Sequence, residues 1–195
     1  YGIYSYLNGN ITLENSSQIS ASGSVMSYAI HTPAADINID ATSRVYGDIL
    51  AHNIVNAGHI RGHVEARKLQ LSGNLNGTSK LTYLEVNRGG SLSVSINNDT
   101  PSNVAPYITT SAQLDNGATI MVEASKISVD DQWQSFAVID AKQLKVNTDE
   151  LQLKTDELIE LKAVTTSNND LIIKVRALDL ALMALSSSNS ASTAA

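Results

Sequence analysis

The chain has 195 residues, a formal net charge of −6 and only 16% charged residues. It holds no cysteine, which excludes disulfides, zinc–thiolate sites and thiol catalysis. Its 13 basic residues form no arginine-rich run, which argues against a nucleic-acid partner, since that surface must neutralise phosphates.

Against one Phe and one Trp stand many Ile, Leu, Val and Ala, the composition of an aliphatic core. The chain opens on Tyr1 inside an apparent repeat and reads as a piece of a longer protein. From Tyr1 to about Ile96, short runs alternate apolar and polar residues: Ile11-Thr12-Leu13, Ile37-Asn38-Ile39, Val45 to Ile49, Leu69-Gln70-Leu71, Leu84-Glu85-Val86 and Leu92 to Ile96. A period of two puts alternate side chains on opposite faces of a strand. Asn8-Gly9, Gly58, Asn76-Gly77 and Gly89-Gly90 punctuate the runs where tight corners are needed.

A phrase of glycine, polar residue and aliphatic recurs: Gly47-Asp48-Ile49, Gly62-His63-Val64, Gly73-Asn74-Leu75 and Gly90-Ser91-Leu92, with Gly23-Ser24-Val25 as an earlier relative. Repeated turn-and-strand units without helices predict an all-β right-handed parallel β-helix, a solenoid. The steps of 15, 11 and 17 residues favour loose rungs over a strict hexapeptide helix. About five rungs stacked about 4.8 Å apart give a stub of roughly 25 Å. The expected inward column contains Ile49, Ile60, Val64, Leu69, Leu71, Leu75, Leu84, Val86, Leu92 and Val94.

Thr100 to Thr110 holds Pro101 and Pro106 and marks a boundary or long loop. Beyond it the apolar runs lengthen at Thr119–Val122, Ser135–Ala141 and Leu171–Val175. They predict a C-terminal β capping module that covers the open end of the solenoid. Its expected structural residues are Trp133, Phe136, Val138, Ile139, Leu171, Ile173 and Val175. The division is residues 1–108 as rungs, 109–176 as cap and 177–195 as a linker, whose Ser- and Ala-rich end is low in complexity. Within 147–162 the tetrad Thr-Asp-Glu-Leu occurs twice, at Thr148 and Thr155. Asn147 with Glu150 fits a helical capping box, but Leu144-Lys145-Val146 and Leu151-Gln152-Leu153 alternate, and strand is the preferred reading.

Gly117–Val122, Phe136–Ala141 and Asn169–Val175 resemble the autochaperone region of bacterial (type V) autotransporters, and Val45–Ile96 resembles passenger rungs of that family. The resemblance implies a surface-displayed stalk within an adhesin or virulence factor and a folding template during secretion. It implies as partner the outer-membrane β-barrel of the same polypeptide, with a host surface or neighbouring passengers as further partners. It also implies a bacterial cell-surface or extracellular location, anchored through the outer membrane. Gly47-Asp48-Ile49-Leu50-Ala51 followed by Ile60-Arg61-Gly62-His63-Val64-Glu65-Ala66 resembles bactofilins, which implies instead a cytoskeletal β-helical polymer. The irregular step and the long non-repeating C-terminal third weigh against that alternative.

No catalytic, cofactor-binding or metal-binding residue is expected, and the chain reads as a non-enzyme. His59 and His63 are four apart, which on a helix would pair two ligands, but beside Gly58 and Gly62 they read as positions near corners. Asp36 and Asp40 could form a carboxylate pair on one strand face, as polysaccharide-cleaving β-helices use. The plainer account is an outer polar row. Asp130-Asp131 reads as a solvated turn.

Overall fold

The computed structural model describes residues 2–21, 28–124 and 132–178. The Asp130-Asp131 turn and the expected linker from residue 179 onward lie outside the described residues. The fold is all-β. In chain order the strands are β1 (Ile3–Tyr4), β2 (Gly9–Leu13), β3 (Gln18–Ser20), β4 (Tyr28–Ile39), β5 (Arg44–Tyr46), β6 (Asp48–Asn56), β7 (His59–Leu71) and β8 (Asn74–Val86). They continue as β9 (Ser91–Ser95), β10 (Tyr107–Leu114), β11 (Thr119–Glu123), β12 (Gln134–Lys145), β13 (Gln152–Thr155), β14 (Ile159–Thr165) and β15 (Leu171–Ala177).

From β1 to β13 every pairing is parallel. One ladder runs β4-β6-β7-β8-β10-β12, and another runs β3-β5-β7 and β8-β9-β11-β13. The long strands β7 and β8 belong to both, because each bends where a glycine sits: Gly62 and Gly77 are paired in register. A Cβ on Gly62 would press into the carbonyl of Gly47, and one on Gly77 into the carbonyl of Gly62. Their φ angles of +153° and +154° are also unfavourable for a residue with a side chain. Successive levels approach so closely at this corner that no side chain fits between them.

That geometry resolves the glycine spacing. Gly47, Gly62 and Gly77 form one corner column with steps of 15 residues. Gly58, Gly73 and Gly90 form a second, with steps of 15 and 17, in which a Cβ on Gly73 would meet the carbonyl of Gly58. The series 15, 11, 17 arises from reading across two columns. The repeat through the central levels is close to regular, and the irregularity that weighed against the bactofilin resemblance disappears there.

The core is built from columns of in-register side chains. One column is Ile19, Val45, Ile60, Leu75, Leu92, Ile120 and Leu153. Its five internal members are fully buried, as is each of the ten aliphatics expected to point inward. A second column is Ile11, Ile37, Ile54, Leu69, Leu84, Ala112 and Leu144. A third runs Ile3, Ile30, Ile49, Val64, Ser79, Tyr107, Ile139 and Leu171. At Tyr107 the core receives an aromatic ring, whose hydroxyl donates to the carbonyls of Ser93 (2.6 Å) and Leu75 (3.2 Å). Burial pushes the Tyr107 phenol well above its ordinary range.

The segment from Asn97 to Pro106 carries no strand, and β10 then resumes parallel pairing on β8. Half of residues 147–162 are strand: a 3-10 turn at Thr148–Glu150 precedes β13 and the start of β14. Asn147 does cap that turn, its side chain accepting from the Asp149 amide, but no 3.6-residue apolar period follows to extend a helix. Antiparallel pairing begins only at the C-terminal end, where β15 lies on β12 and β14 on β15.

Candidate functional site at the ends of the stack

A stack of parallel strands buries its interior side chains by placing another level above and below each one. Among the described residues the first and last levels have a neighbouring level on one side only, and the half-buried apolar residues of the core are found there. At the N-terminal end they are Ile3, Ile11 and Ile19, the first members of the three columns, together with Ala21. Their strands β1, β2 and β3 each pair on one side only among the described residues. Tyr6 and Leu7, 65% and 77% exposed, lie in the link between β1 and β2. Tyr4 stacks on His31 with ring centroids 4.8 Å apart, and Tyr6 and Tyr28 meet the same imidazole edge-on.

The C-terminal end is built differently. Two columns stop at half-buried Leu144 and Leu153. The third continues beneath β15, where Leu171, Ile173 and Val175 are fully buried and pair with β12 as Ile139↔Leu171, Phe136↔Ile173 and Gln134↔Val175. The β14–β15 hairpin then turns toward the opposite wall, β14 packing next to the 3-10 turn and β13. Phe136, Val138 and Ile139 are buried at this seam. Trp133 is placed otherwise: it is 37% exposed and stands outside the core with the Arg176 guanidinium 4.5 Å from its ring centroid. Arg176 also bridges to Glu160 of β14 at 2.6 Å, tying the hairpin together and to the indole.

The residues weighed for chemistry are spread through turns and outer rows. Asp36 accepts from the Asn53 amide at 2.8 Å and lies 3.1 Å from His52 Nδ1. Asp40 sits in the turn after β4 and accepts from the amides of Asn15, Thr42 and Ser43 and from the Thr42 hydroxyl. Hydrogen bonding from Ser43, opposed by desolvation and reinforced by Thr42 and Asn15, holds its carboxyl down at about 2. Such a carboxylate ties neighbouring levels together and is a poor general acid. His63 Nδ1 is 2.7 Å from Thr78 Oγ1, one level up. His59 is half-buried beside Arg44 and Arg61, and burial first, then those two cations, lower its pKa. Among the described residues no three His, Asp or Glu gather to hold a metal ion. No helix of the described residues is long and apolar enough to cross a membrane.

The three end isoleucines carry no sequence signal that separates them from internal ones. Each heads an alternating run like every other, and only the parallel register shows that their strands pair on one side among the described residues.

Residues 3–97 match the family model described as "Bactofilin: Polymer-forming cytoskeletal", a little under half of the chain. No curated protein and no solved structure matches the chain. The family match overturns the autotransporter resemblance and what it implied: the stalk and folding-template role in secretion, the adhesin and virulence associations, the outer-membrane barrel as partner, and the cell-surface location. The physical reason is that alternating strands and glycine corners are demanded by any stacked β architecture. The strands Gly117–Val122, Phe136–Ala141 and Asn169–Val175 therefore carry no signal particular to one family. Over its first half, this chain is similar to the bactofilin polymer-forming cytoskeletal domain.

Proposed function

We propose that the chain is a self-assembling structural element, a right-handed parallel β-helix whose ends join copies of itself into a polymer of the cytoskeletal kind. The observation that carries the reading is the column Ile19-Val45-Ile60-Leu75-Leu92-Ile120-Leu153, dry within and half-covered at both ends. The description of the matching family supports it. Right-handedness follows the strong preference of parallel strand connections. The coil extends from β1 through β13. The β14–β15 hairpin, with Phe136, Val138, Ile139, Leu171, Ile173 and Val175 at its seam and Trp133 bracing it from outside, is the C-terminal cap. In this reading the chain is not an enzyme, and its polar residues serve the turns and outer rows.

Sedimentation velocity over a hundredfold concentration range tests the proposal. Self-assembly requires a weight-average mass that rises above the 20.8 kDa of one chain. A single monomer boundary throughout defeats it.

A further inference from the structure

The outer face of the wall formed by β5, β7, β8, β9 and β11 carries a cluster of cations without a counter-charge. Parallel register sets Arg44 beside His59 and Tyr46 beside Arg61 on neighbouring levels. The two arginines therefore stand on one diagonal of a four-residue patch. His59 and Tyr46 stand on the other, with ring centroids 6.2 Å apart. Arg44 and Arg61 are exposed, and neither forms an ion pair with any described residue. Both act on half-buried His59, whose pKa falls through burial first and then through these cations. In a chain of net charge −6 with only 13 basic residues, two unpaired guanidiniums around one imidazole make a local field of the opposite sign. A planar guanidinium presents a fork of donors that matches an oxyanion.

A trough of about 380 Å³ opens from this patch and runs up the same wall. His59 begins it, and Asn74, Asn76, Ser93, Met121 and Glu123 continue it over the next levels. Its floor is low because the side chain there is short: Ser93 faces outward between Leu92 and Val94, yet is only 6% exposed. The Asn74 amide donates to the hydroxyls of Ser91 (2.8 Å) and Ser93 (3.2 Å), while its Oδ1 is buried with no partner. A buried polar atom left unpaired carries a desolvation cost that a donor on a ligand removes. Glu123 accepts from Asn76 at 3.3 Å and from Ser95 at 3.0 Å, and its carboxylate keeps capacity for further donors. Asp156 and Glu157 close the far end with negative charge.

We infer that this trough binds a small phosphomonoester with a hydroxyl-bearing body, a sugar phosphate in chemical class. Arg44 and Arg61 take the phosphate beside His59, and Asn74 Oδ1 and the Glu123 carboxylate accept from the hydroxyls. Glu123, Asp156 and Glu157 confine the phosphate to the arginine end and oppose a second one. The volume falls in the range of small-molecule pockets. The site lies on a side wall and is independent of the self-assembly reading.

The test is titration of the 195-residue chain at low salt, followed by calorimetry and by the NMR signals of the His59 imidazole. The probes are inorganic phosphate, glucose, glucose phosphorylated on its primary hydroxyl, and glucose phosphorylated on both its primary and anomeric hydroxyls. The monophosphate should bind about tenfold or more tighter than inorganic phosphate, and the bisphosphate no tighter than the monophosphate. Glucose should not bind, and the His59 signals should move with the phosphates alone. Arg44→Ala with Arg61→Ala, at exposed positions, should weaken the monophosphate by about tenfold or more. Asn74→Ala should bring the monophosphate down to the affinity of inorganic phosphate. Should Asn74→Ala lose its β circular dichroism, the comparison of monophosphate with inorganic phosphate on the unaltered chain decides the same point. No binding of any phosphate at millimolar concentration would overturn the inference, as would an arginine variant that binds as before. Glucose binding as tightly as its monophosphate, a monophosphate no tighter than inorganic phosphate, a bisphosphate tighter than both, or unmoved His59 signals would overturn it too.

Discussion

Replacing Gly62 with alanine tests the close-approach geometry that the whole stack depends on. At Gly62 a Cβ would collide with the carbonyl carbon and oxygen of Gly47, backbone atoms that cannot rotate aside. The φ of +153° adds strain for any residue with a side chain, a term of roughly 1–3 kcal/mol. Separating the two levels at the corner also weakens ladder hydrogen bonds worth about 1 kcal/mol each. Together these give a loss of roughly 3–5 kcal/mol, a large part of the stability of an ordinary domain. At about 2–4 °C per kcal/mol for a chain of this size, the melting temperature should fall by roughly 10 °C. Gly89 is the control. Its φ is +83°, yet a Cβ there meets nothing within 4 Å, so Gly89→Ala should cost only the backbone term of about 1–2 kcal/mol. Thermal unfolding followed by far-UV circular dichroism compares the two directly. If Gly62→Ala melts no lower than Gly89→Ala, the corner is not closely packed and the stacking geometry is wrong.

Tyr107→Phe leaves the carbonyls of Ser93 and Leu75 without their buried donor and should cost about 1–2 kcal/mol in urea unfolding. Asp40 titrates at about 2 in the folded chain, against an ordinary 3.8. The folded state binds fewer protons than the unfolded between these values, so the contribution of Asp40 is complete above 3.8 and is lost as pH falls toward 2. Asp40→Asn should flatten that part of the acid-unfolding profile. His59 has a pKa below the ordinary 6.5, because of burial first and then Arg44 and Arg61. The unfolded chain takes up this proton first, so stability should decline as pH drops below 6.5, and His59→Gln should remove the decline. Arg176→Ala should raise amide hydrogen exchange in β15 while leaving β7 and β8 unchanged, since the guanidinium joins Glu160 and Trp133 at that end.

The autotransporter resemblance failed for a reason contained in the fold. Glycine corners and alternating strands report that levels stack, and stacking is common to surface stalks and intracellular filaments alike. The steps of 15, 11 and 17 residues seemed to speak for loose rungs only because Gly62 and Gly73 belong to different corners of the same level. Two columns cannot be separated along a one-dimensional chain until it is known which residues lie above one another.

Composition and period by themselves determined that the chain is all-β and that Ile60, Leu75 and Leu92 point inward, because alternation sets the face of a strand whatever lies beside it. Tertiary structure alone decided what identical words mean in different places. Thr148–Leu151 forms a 3-10 turn that buries Leu151, whereas the same tetrad at Thr155–Leu158 closes β13 and leaves Leu158 74% exposed. It likewise decided which isoleucines are ends. Ile19 and Ile60 both sit in alternating runs, but among the described residues Ile60 has a level on both sides and Ile19 on one. Burial in a stack depends on what is placed above and below, and that is a relation between residues 15 or more positions apart, which no local pattern records.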